Sequence, residues 1–186
     1  MKKHKTVLDN DFELKETDKE YNYQNELTVK LDNTRQSFNQ EVINEIVLWK
    51  VNRYANIDNR TLELINEIDS NTIQINIEKT KVILRNMLLI KGIQLPMAST
   101  ILRFKNKNIY QIIDQRVYRI IYKEKTLKLK TYLSEKNINE QIDIYLEYLA
   151  DLRKICNKLI IPFSDSDRIL YTADKRVNGD IQLKNY

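Results

Sequence analysis

Glycine is nearly absent from this chain, and its scarcity limits where the backbone can turn sharply. Only Gly92 and Gly179 occur among the 186 residues. Gly92 lies between two segments whose apolar residues recur at helical spacing, and Pro96 stands near the start of the second segment. Glycine just after a helix and proline in the first turn of a helix are favoured at those positions. The pattern predicts two helices joined by a tight turn and a third helix opening at Asp114, although Gly92 would also suit an ordinary helix end.

Apolar residues at helical spacing also dominate the rest of the chain. They predict further helices over about 39–54, 59–68, 80–90, 142–159 and 167–176. The candidate N-caps of these helices are Ser37 or Asn39, Asn59 and Ser164. Residues 25–31 alternate between polar and apolar instead, which favours one short strand. We expect a single all-α domain over residues 37–176, with a polar, partly ordered leader at 1–36 and a tail at 177–186.

The composition argues against several classes of protein. Hydrophobic residues make up 42% of the chain, and no apolar run approaches the roughly 20 residues of a membrane span. The first residues contain no apolar stretch of the kind found in secretion signals. The single cysteine, Cys156, allows no internal disulfide, no zinc site built from cysteines and no four-cysteine cluster. We therefore expect a cytoplasmic protein with no membrane partner and no metal site.

Positive charge is concentrated in one part of the sequence. The net charge is +5, yet the window 79–136 contains only three acidic residues, Asp114, Glu124 and Glu135. Its cationic residues are Lys79, Lys81, Arg85, Lys91, Arg103, Lys105, Lys107, Arg116, Arg119, Lys123, Lys125, Lys128, Lys130 and Lys136. Such a concentration is typical of a surface that binds a phosphate backbone. The alternative is a lysine-rich face that is merely solvated.

Three segments in and after the predicted hairpin carry a family resemblance. They are Lys91-Gly92-Ile93-Gln94, Met97-Ala98-Ser99 and Ile112-Ile113-Asp114-Gln115-Arg116-Val117. In this order and spacing they resemble the core of the helix-hairpin-helix DNA glycosylases. That family typically has a Leu-Pro-Gly-Val-Gly hairpin and, further on, a Val-Asp-Thr-His-Val-like run that holds its catalytic aspartate. This chain differs at Gln94, where the hairpin usually has a second glycine, and at Pro96, where lyase-type members carry a Schiff-base lysine.

The resemblance implies a catalytic role for Asp114, opposite the sugar of a nucleotide flipped out of the duplex. Cleavage of an N-glycosidic bond builds positive charge on the sugar, and a fixed carboxylate stabilises that charge. The same carboxylate can orient or deprotonate a water molecule. The alternative is that Asp114 only caps the helix that it opens, and the two roles are compatible.

The resemblance also implies a contact with double-stranded DNA. The residues expected to contact it are Lys91, Gly92, Ile93, Gln94, Arg116 and Arg119. The glycine lets backbone N–H groups approach a phosphate closely, and the two arginines are expected to be exposed on the third helix. In this family such hairpins often hold a monovalent cation on their carbonyl groups, and no other cofactor is expected.

Two further groups of residues are weaker candidates. Trp49, Asn52 and Arg53 lie on one predicted helix and could line a base pocket by stacking and hydrogen bonding, or Trp49 could simply be part of the core. Asp167 and Arg168 open the last predicted helix and are expected to be an N-cap and a surface charge.

The sequence thus predicts a DNA-binding protein that is a base-excision DNA glycosylase. Because Pro96 replaces the lyase lysine, the expected enzyme is monofunctional, with water as the nucleophile. One alternative is a catalytically inactive module that binds DNA through its hairpin. The other is a helical protein-interaction domain whose lysines are solvated.

Overall fold

The structure is a computed structural model that describes residues 24–34, 38–51, 55–122, 125–130, 132 and 134–183. These residues form eight α-helices and no β-strand, which confirms the all-α class. None of the helices within these ranges combines the length and the apolar character that a membrane span needs. The chain divides into two compact units, with the boundary between Tyr54 and Ala55.

The described part of the first unit contains α1 (Asn25–Asp32) and α2 (Gln40–Lys50). The strand predicted at 25–31 is wrong, because this segment forms α1. A lone strand would leave its backbone N–H and C=O groups unpaired, whereas a helix pairs them internally. The predicted cap of α2 is confirmed, since the Asn39 side chain accepts a hydrogen bond from the N–H of Val42 at 3.0 Å.

The second unit contains the remaining helices. They are α3 (Asn59–Asn66), α4 (Ile77–Leu89), α5 (Leu95–Lys105), α6 (Gln115–Ile121), α7 (Glu135–Leu159) and α8 (Ser166–Val177), with a 3-10 turn at Phe163–Asp165 before α8. The segment 125–130 has no regular secondary structure.

Two of the predicted caps are displaced by one position. α3 is capped by Asp58 rather than Asn59, and the Asp58 carboxylate accepts from the N–H of Thr61 at 2.9 Å. The residue before α8 is Asp165 rather than Ser164, because the 3-10 turn precedes the helix. Asp165 makes no side-chain capping bond to α8.

The core of the second unit is built around α7, which is 25 residues long. Its inward face carries Ile138, Ile142, Tyr145, Tyr148, Leu149, Leu152 and Cys156, all of them buried. The sequence pattern missed the first turns of α7 because polar side chains also point inward there. The Asn137 and Gln141 amides are buried and donate to the carbonyls of Tyr132 and Lys130, which satisfies them without water.

Candidate functional site

The turn between α4 and α5 contains a glycine with left-handed backbone geometry. Gly92 has a φ of 91° and is the only glycine with a left-handed backbone among the described residues. Gln94 has a φ of −105°, an ordinary extended conformation, so replacing a second glycine by glutamine costs no backbone strain here. Lys91, Gly92 and Gln94 are exposed, whereas the Ile93 side chain is 3% exposed and belongs to the core.

One of the predicted phosphate donors is already used within this turn. The N–H of Ile93 donates to the carbonyl of Ile90 at 3.1 Å. A phosphate that accepts from this N–H would therefore have to share it with the Ile90 carbonyl. A Cβ placed on Gly92 would meet no atom within 4 Å, so the surface above the turn is sterically open.

Buried side chains from α5 and α7 hold the segment that leads into Asp114. Their contacts are Tyr145 Oη to Gln111 O at 3.0 Å, Tyr148 Oη to Ile112 O at 2.6 Å, and Ile113 N to Ser99 Oγ at 3.2 Å. The position of Asp114 is therefore fixed by the core and not by a flexible loop. Sequence reasoning missed these supports. Two tyrosines three residues apart in an apolar stripe were the available signal, because buried tyrosine hydroxyls need partners.

Asp114 is the N-cap of α6. Its backbone is extended, with φ −133° and ψ 170°, and its Oδ1 accepts from the N–H of Val117 at 2.8 Å. The capping interpretation is thereby confirmed. The side chain is only half-buried, so the cap does not seal the carboxylate inside the core.

The electrostatic environment of Asp114 disfavours its charged form. Burial raises the pKa of the Asp114 carboxyl above its usual range. The N–H groups of Val117 and Arg116 and the Arg116 charge oppose this rise in pKa. The negative charge of Asp167 adds to it. A carboxylate that is destabilised by its surroundings in a cleft is a candidate functional group.

Asp114 lines a cavity of about 280 Å³ between the start of α6 and the first turns of α8. The lining residues are Ile112, Asp114, Asp167, Arg168, Tyr171 and Thr172. The volume lies near the lower end of the range typical of small-molecule sites, about 300–1,000 Å³. The surface of the cavity is mostly apolar, and two of its lining residues, Asp114 and Asp167, are acidic.

The second carboxyl group, Asp167, is placed differently from its prediction. Asp167 is the second residue of α8 rather than its N-cap, and it is 3% exposed. Its Oδ1 accepts from the N–H of Arg168 at 2.7 Å. Its Oδ2 lies 3.5 Å from Nε of the buried Arg103, a distance at which the charges attract but no hydrogen bond forms. Arg168 is exposed, as predicted.

The two arginines expected to be exposed on α6 instead bind α8. Nε and Nη2 of Arg119 donate to the two oxygens of Asp174, both at 2.7 Å, and Arg116 Nη1 donates to the same carboxylate at 3.2 Å. Arg119 also donates to the carbonyls of Asn178 and Ile181, so all three of its guanidinium nitrogens are engaged. Asp174 is fully buried. The expectation of exposed arginines is therefore wrong. The sequence could not reveal this pairing, because Asp174 lies 55 residues after Arg119.

Trp49 lies on α2 in the first unit. Its indole N–H donates to Oγ1 of Thr28 at 2.9 Å, and the side chain is half-buried. Asn52 and Arg53, the other two residues of the predicted base pocket, lie outside the described residues. All residues that line the cavity at Asp114 belong to the second unit.

Part of the positive charge in the window 79–136 is compensated by acidic residues. Four ion pairs with glutamates contribute. The glutamate lies outside the window in Lys79–Glu67, Lys81–Glu78 and Lys130–Glu140, and inside it in Arg85–Glu135. Among the described acidic groups, none pairs with Lys91, Lys107 or Lys128, which are all exposed. The unpaired charge thus includes the lysine of the hairpin turn.

Comparison with protein-family models, with curated proteins and with solved structures finds no match for this chain. Within the described ranges, no three side chains of the metal-binding types converge. The hairpin, the cavity and its two carboxyl groups are therefore the features from which a function has to be inferred.

Proposed function

We propose that this protein binds double-stranded DNA and is a monofunctional base-excision DNA glycosylase in which Asp114 is the catalytic residue. The observation that carries the proposal is the position of Asp114. It caps α6 and at the same time lines a cavity of about 280 Å³. A group that only capped a helix would need no such cavity beside it.

The surroundings of Asp114 suit the stabilisation of a cationic sugar. As the N-glycosidic bond breaks, positive charge develops at C1′ of the sugar, and the departing base takes the electron pair of the bond. The ionised Asp114 stabilises that charge more strongly in a half-buried site than in water. Water then adds to C1′, and its proton passes to the carboxylate or to solvent.

The residues that line the cavity favour hydrolysis over lyase chemistry. They include an arginine but no lysine, so the cavity offers no amine that could form a Schiff base with the sugar. Pro96, which stands where the lyase-type members carry their Schiff-base lysine, lies in the first turn of α5 and offers no amine either. We expect borohydride treatment of the protein with an abasic-site duplex to give no covalent adduct, and a trapped adduct would contradict the proposed mechanism.

The exposed hairpin provides a surface for the DNA backbone. Lys91, Gly92 and Gln94 are accessible, and no side chain obstructs an approach above the glycine. Backbone contacts of this kind fix the orientation of a duplex without reading its sequence.

The direct test is an assay of base release. Purified protein is incubated with duplexes that contain oxidised, alkylated, deaminated or hypermodified bases, and the released free base is measured. We expect release from at least one duplex and none with Asp114→Asn, while both proteins bind the duplex equally. Release that persists in Asp114→Asn would remove Asp114 from the mechanism.

A second candidate function is DNA binding without catalysis. The exposed hairpin lysine supports it independently of Asp114. Here Lys91→Glu should weaken binding to any duplex and flatten its salt dependence, because a phosphate contact contributes a slope of about −0.9 in log affinity against log salt. Lys158→Glu is the matched control, since it makes the same charge change at an exposed position outside the basic window. An absence of any duplex retardation at low salt would instead favour a protein-interaction domain.

A further inference from the structure

Of the described residues that line the cavity at Asp114, one is cationic, and the proposed chemistry at the sugar does not use it. Arg168 lies in the first turn of α8, lines the cavity and is exposed to solvent. The other lining residues are two aspartates, a threonine, a tyrosine and an isoleucine. What the Arg168 guanidinium can bind therefore bears on the kind of ligand that the cavity takes.

The Arg168 side chain has no ion-pair partner among the described residues. The two buried aspartates of α8 are engaged elsewhere, because Asp167 faces Arg103 and Asp174 binds the arginines of α6. Asp167 does contact Arg168, but it accepts from the backbone N–H at 2.7 Å and not from the side chain. The N–H donors of an exposed, unpaired guanidinium are open to an incoming anion.

Asp114 and Arg168 line one cavity from opposite sides without forming an ion pair with each other. Asp114 belongs to the start of α6, and Arg168 belongs to α8. Both charges are therefore available to a ligand that carries an anionic group and a group that becomes cationic. A nucleotide carries both, because its phosphate is negatively charged and its sugar becomes cationic as the glycosidic bond breaks. Arg168 would also offset the repulsion between that phosphate and Asp114.

The exposure of Arg168 suits a phosphate. Removing a charged phosphate from water is costly, so a group that binds it is expected to be accessible to solvent and not sealed in the core. The planar guanidinium matches the geometry of phosphate oxygens and can donate two parallel hydrogen bonds to them. The mostly apolar remainder of the cavity surface is then left for the base.

We propose that Arg168 forms a phosphate-binding subsite of this cavity, and that the ligand is a nucleotide whose sugar faces Asp114 while Arg168 binds its phosphate. This inference rests on the proposed function, in which Asp114 serves the sugar. The phosphate belongs either to a nucleotide flipped out of DNA or to a free nucleotide, and its contact with the guanidinium is the same in both cases.

The test compares a nucleoside with its monophosphates and requires no catalysis. Deoxyadenosine, its 5′-monophosphate and its 3′-monophosphate are titrated into the wild-type protein, and binding is followed by chemical-shift changes. At low salt we expect at least one monophosphate to bind about fivefold more tightly than deoxyadenosine, the scale of one exposed charge-assisted contact. The difference should shrink at about 0.5 M salt, because salt screens exposed charges. Equal binding of all three compounds, or binding of none, would overturn the proposal.

Three variants connect the preference for a monophosphate to Arg168. Arg168→Gln removes the charge at an exposed position, so it should abolish the preference and leave the binding of deoxyadenosine unchanged. Arg168→Lys keeps the charge but loses the two-pronged donor, so it should retain part of the preference. Arg176→Gln is the matched control, since it makes the same change at an exposed position of α8 that does not line the cavity. A preference that survives Arg168→Gln, or that Arg176→Gln removes equally, would contradict the subsite.

Binding to a DNA duplex identifies the source of the phosphate. If Arg168 binds a phosphate of DNA, Arg168→Gln should flatten the plot of log affinity against log salt by about 0.9 relative to Arg176→Gln. An unchanged slope, together with a monophosphate preference that depends on Arg168, would assign the subsite to a free nucleotide.

The outcomes separate this inference from the proposed function. If no duplex releases a base but the monophosphate preference holds and depends on Arg168, the glycosylase proposal fails and the phosphate subsite remains. If a base is released while the monophosphates bind no better than deoxyadenosine, Asp114 retains its role and Arg168 loses the one proposed here.

Discussion

Two aspartates in this protein do the same structural work at different helices. Asp58 caps α3 and Asp114 caps α6, and each carboxylate accepts from the N–H three residues later, at 2.9 Å and 2.8 Å. They differ at that third residue. Thr61 also donates its hydroxyl to Asp58 at 2.7 Å, whereas Val117 has no hydroxyl to offer Asp114.

The two carboxyl groups consequently have opposite electrostatics. The Thr61 hydroxyl and N–H lower the pKa of Asp58, which is exposed. Burial raises the pKa of Asp114, and the charge of Asp167 contributes to the rise. The comparison shows that the capping motif alone does not identify a functional aspartate. The neighbours that the fold supplies distinguish one cap from the other.

The largest expected difference between the two caps is in base release. Asp114→Asn should abolish detectable base release, a loss of about 100-fold or more, which is the scale of a general acid–base or electrostatic contribution. Asp58→Asn should leave the rate unchanged, because Asp58 lies on α3 and does not line the cavity. Rates are measured as release of free base under single-turnover conditions. Equal effects of the two substitutions on the rate would show that lining the cavity gives Asp114 no special role in base release.

A smaller difference is expected between capping and non-capping residues at position 114. Asparagine caps helices about as well as aspartate, whereas alanine cannot. Asp114→Ala should therefore be less stable than Asp114→Asn by about 1 kcal/mol in urea unfolding. Asp58→Ala should also be less stable than Asp58→Asn. If alanine and asparagine were equivalent at position 114, the hydrogen bond to Val117 would contribute nothing.

The pH dependence of stability should have opposite signs at the two caps. The raised pKa of Asp114 means that the folded state holds its proton more tightly than the unfolded state. Wild type should therefore gain stability relative to Asp114→Asn as the pH falls towards the ordinary carboxyl range, about pH 4. The lowered pKa of Asp58 gives the reverse, so wild type should lose stability relative to Asp58→Asn as the pH falls through that range.

These two differences are measured by urea unfolding of the three proteins at several pH values between about 7 and 3. Plots of the difference in unfolding free energy against pH should slope in opposite directions. Parallel slopes would mean that the burial of Asp114 does not control its ionisation.

The smallest expected effect comes from exchanging the third residues of the two helices. Val117→Thr would offer Asp114 the hydroxyl that Thr61 offers Asp58, which should lower the pKa of Asp114 and move the acidic limb of the activity profile to lower pH. Thr61→Val is the matched control and should leave that profile unchanged. A shift to higher pH in Val117→Thr would show that the added hydroxyl does not reach the carboxylate.

Local features of the fold could be predicted from the sequence because they depend on neighbouring residues. Gly92, Pro96 and the cap at Asp114 were placed correctly, since turn and capping preferences act over a few positions. The alternation at residues 25–31 predicts a strand, but two-residue alternation in a short polar segment does not exclude a helix.

The contacts that define the site could not be predicted in the same way. Arg119 meets Asp174 and Asp167 meets Arg103 only because α8 packs back onto the earlier helices. The sequence predicts an N-cap at Asp167 because aspartate is favoured at that position of a helix. The sequence indicated that Asp114 was a candidate, but it gave no indication of the second carboxyl group opposite it.

The ion pairs on Asp174 have a consequence for the size of ligand that the cavity can admit. They join α6 to α8, and the cavity lies between the residues that lead into α6 and the first turns of α8. A ligand that pushed these two helices apart would separate a fully buried carboxylate from its arginines at high energetic cost. Adaptation to a bulkier ligand would therefore have to proceed through shorter side chains at Tyr171 or Thr172, with the backbone left in place.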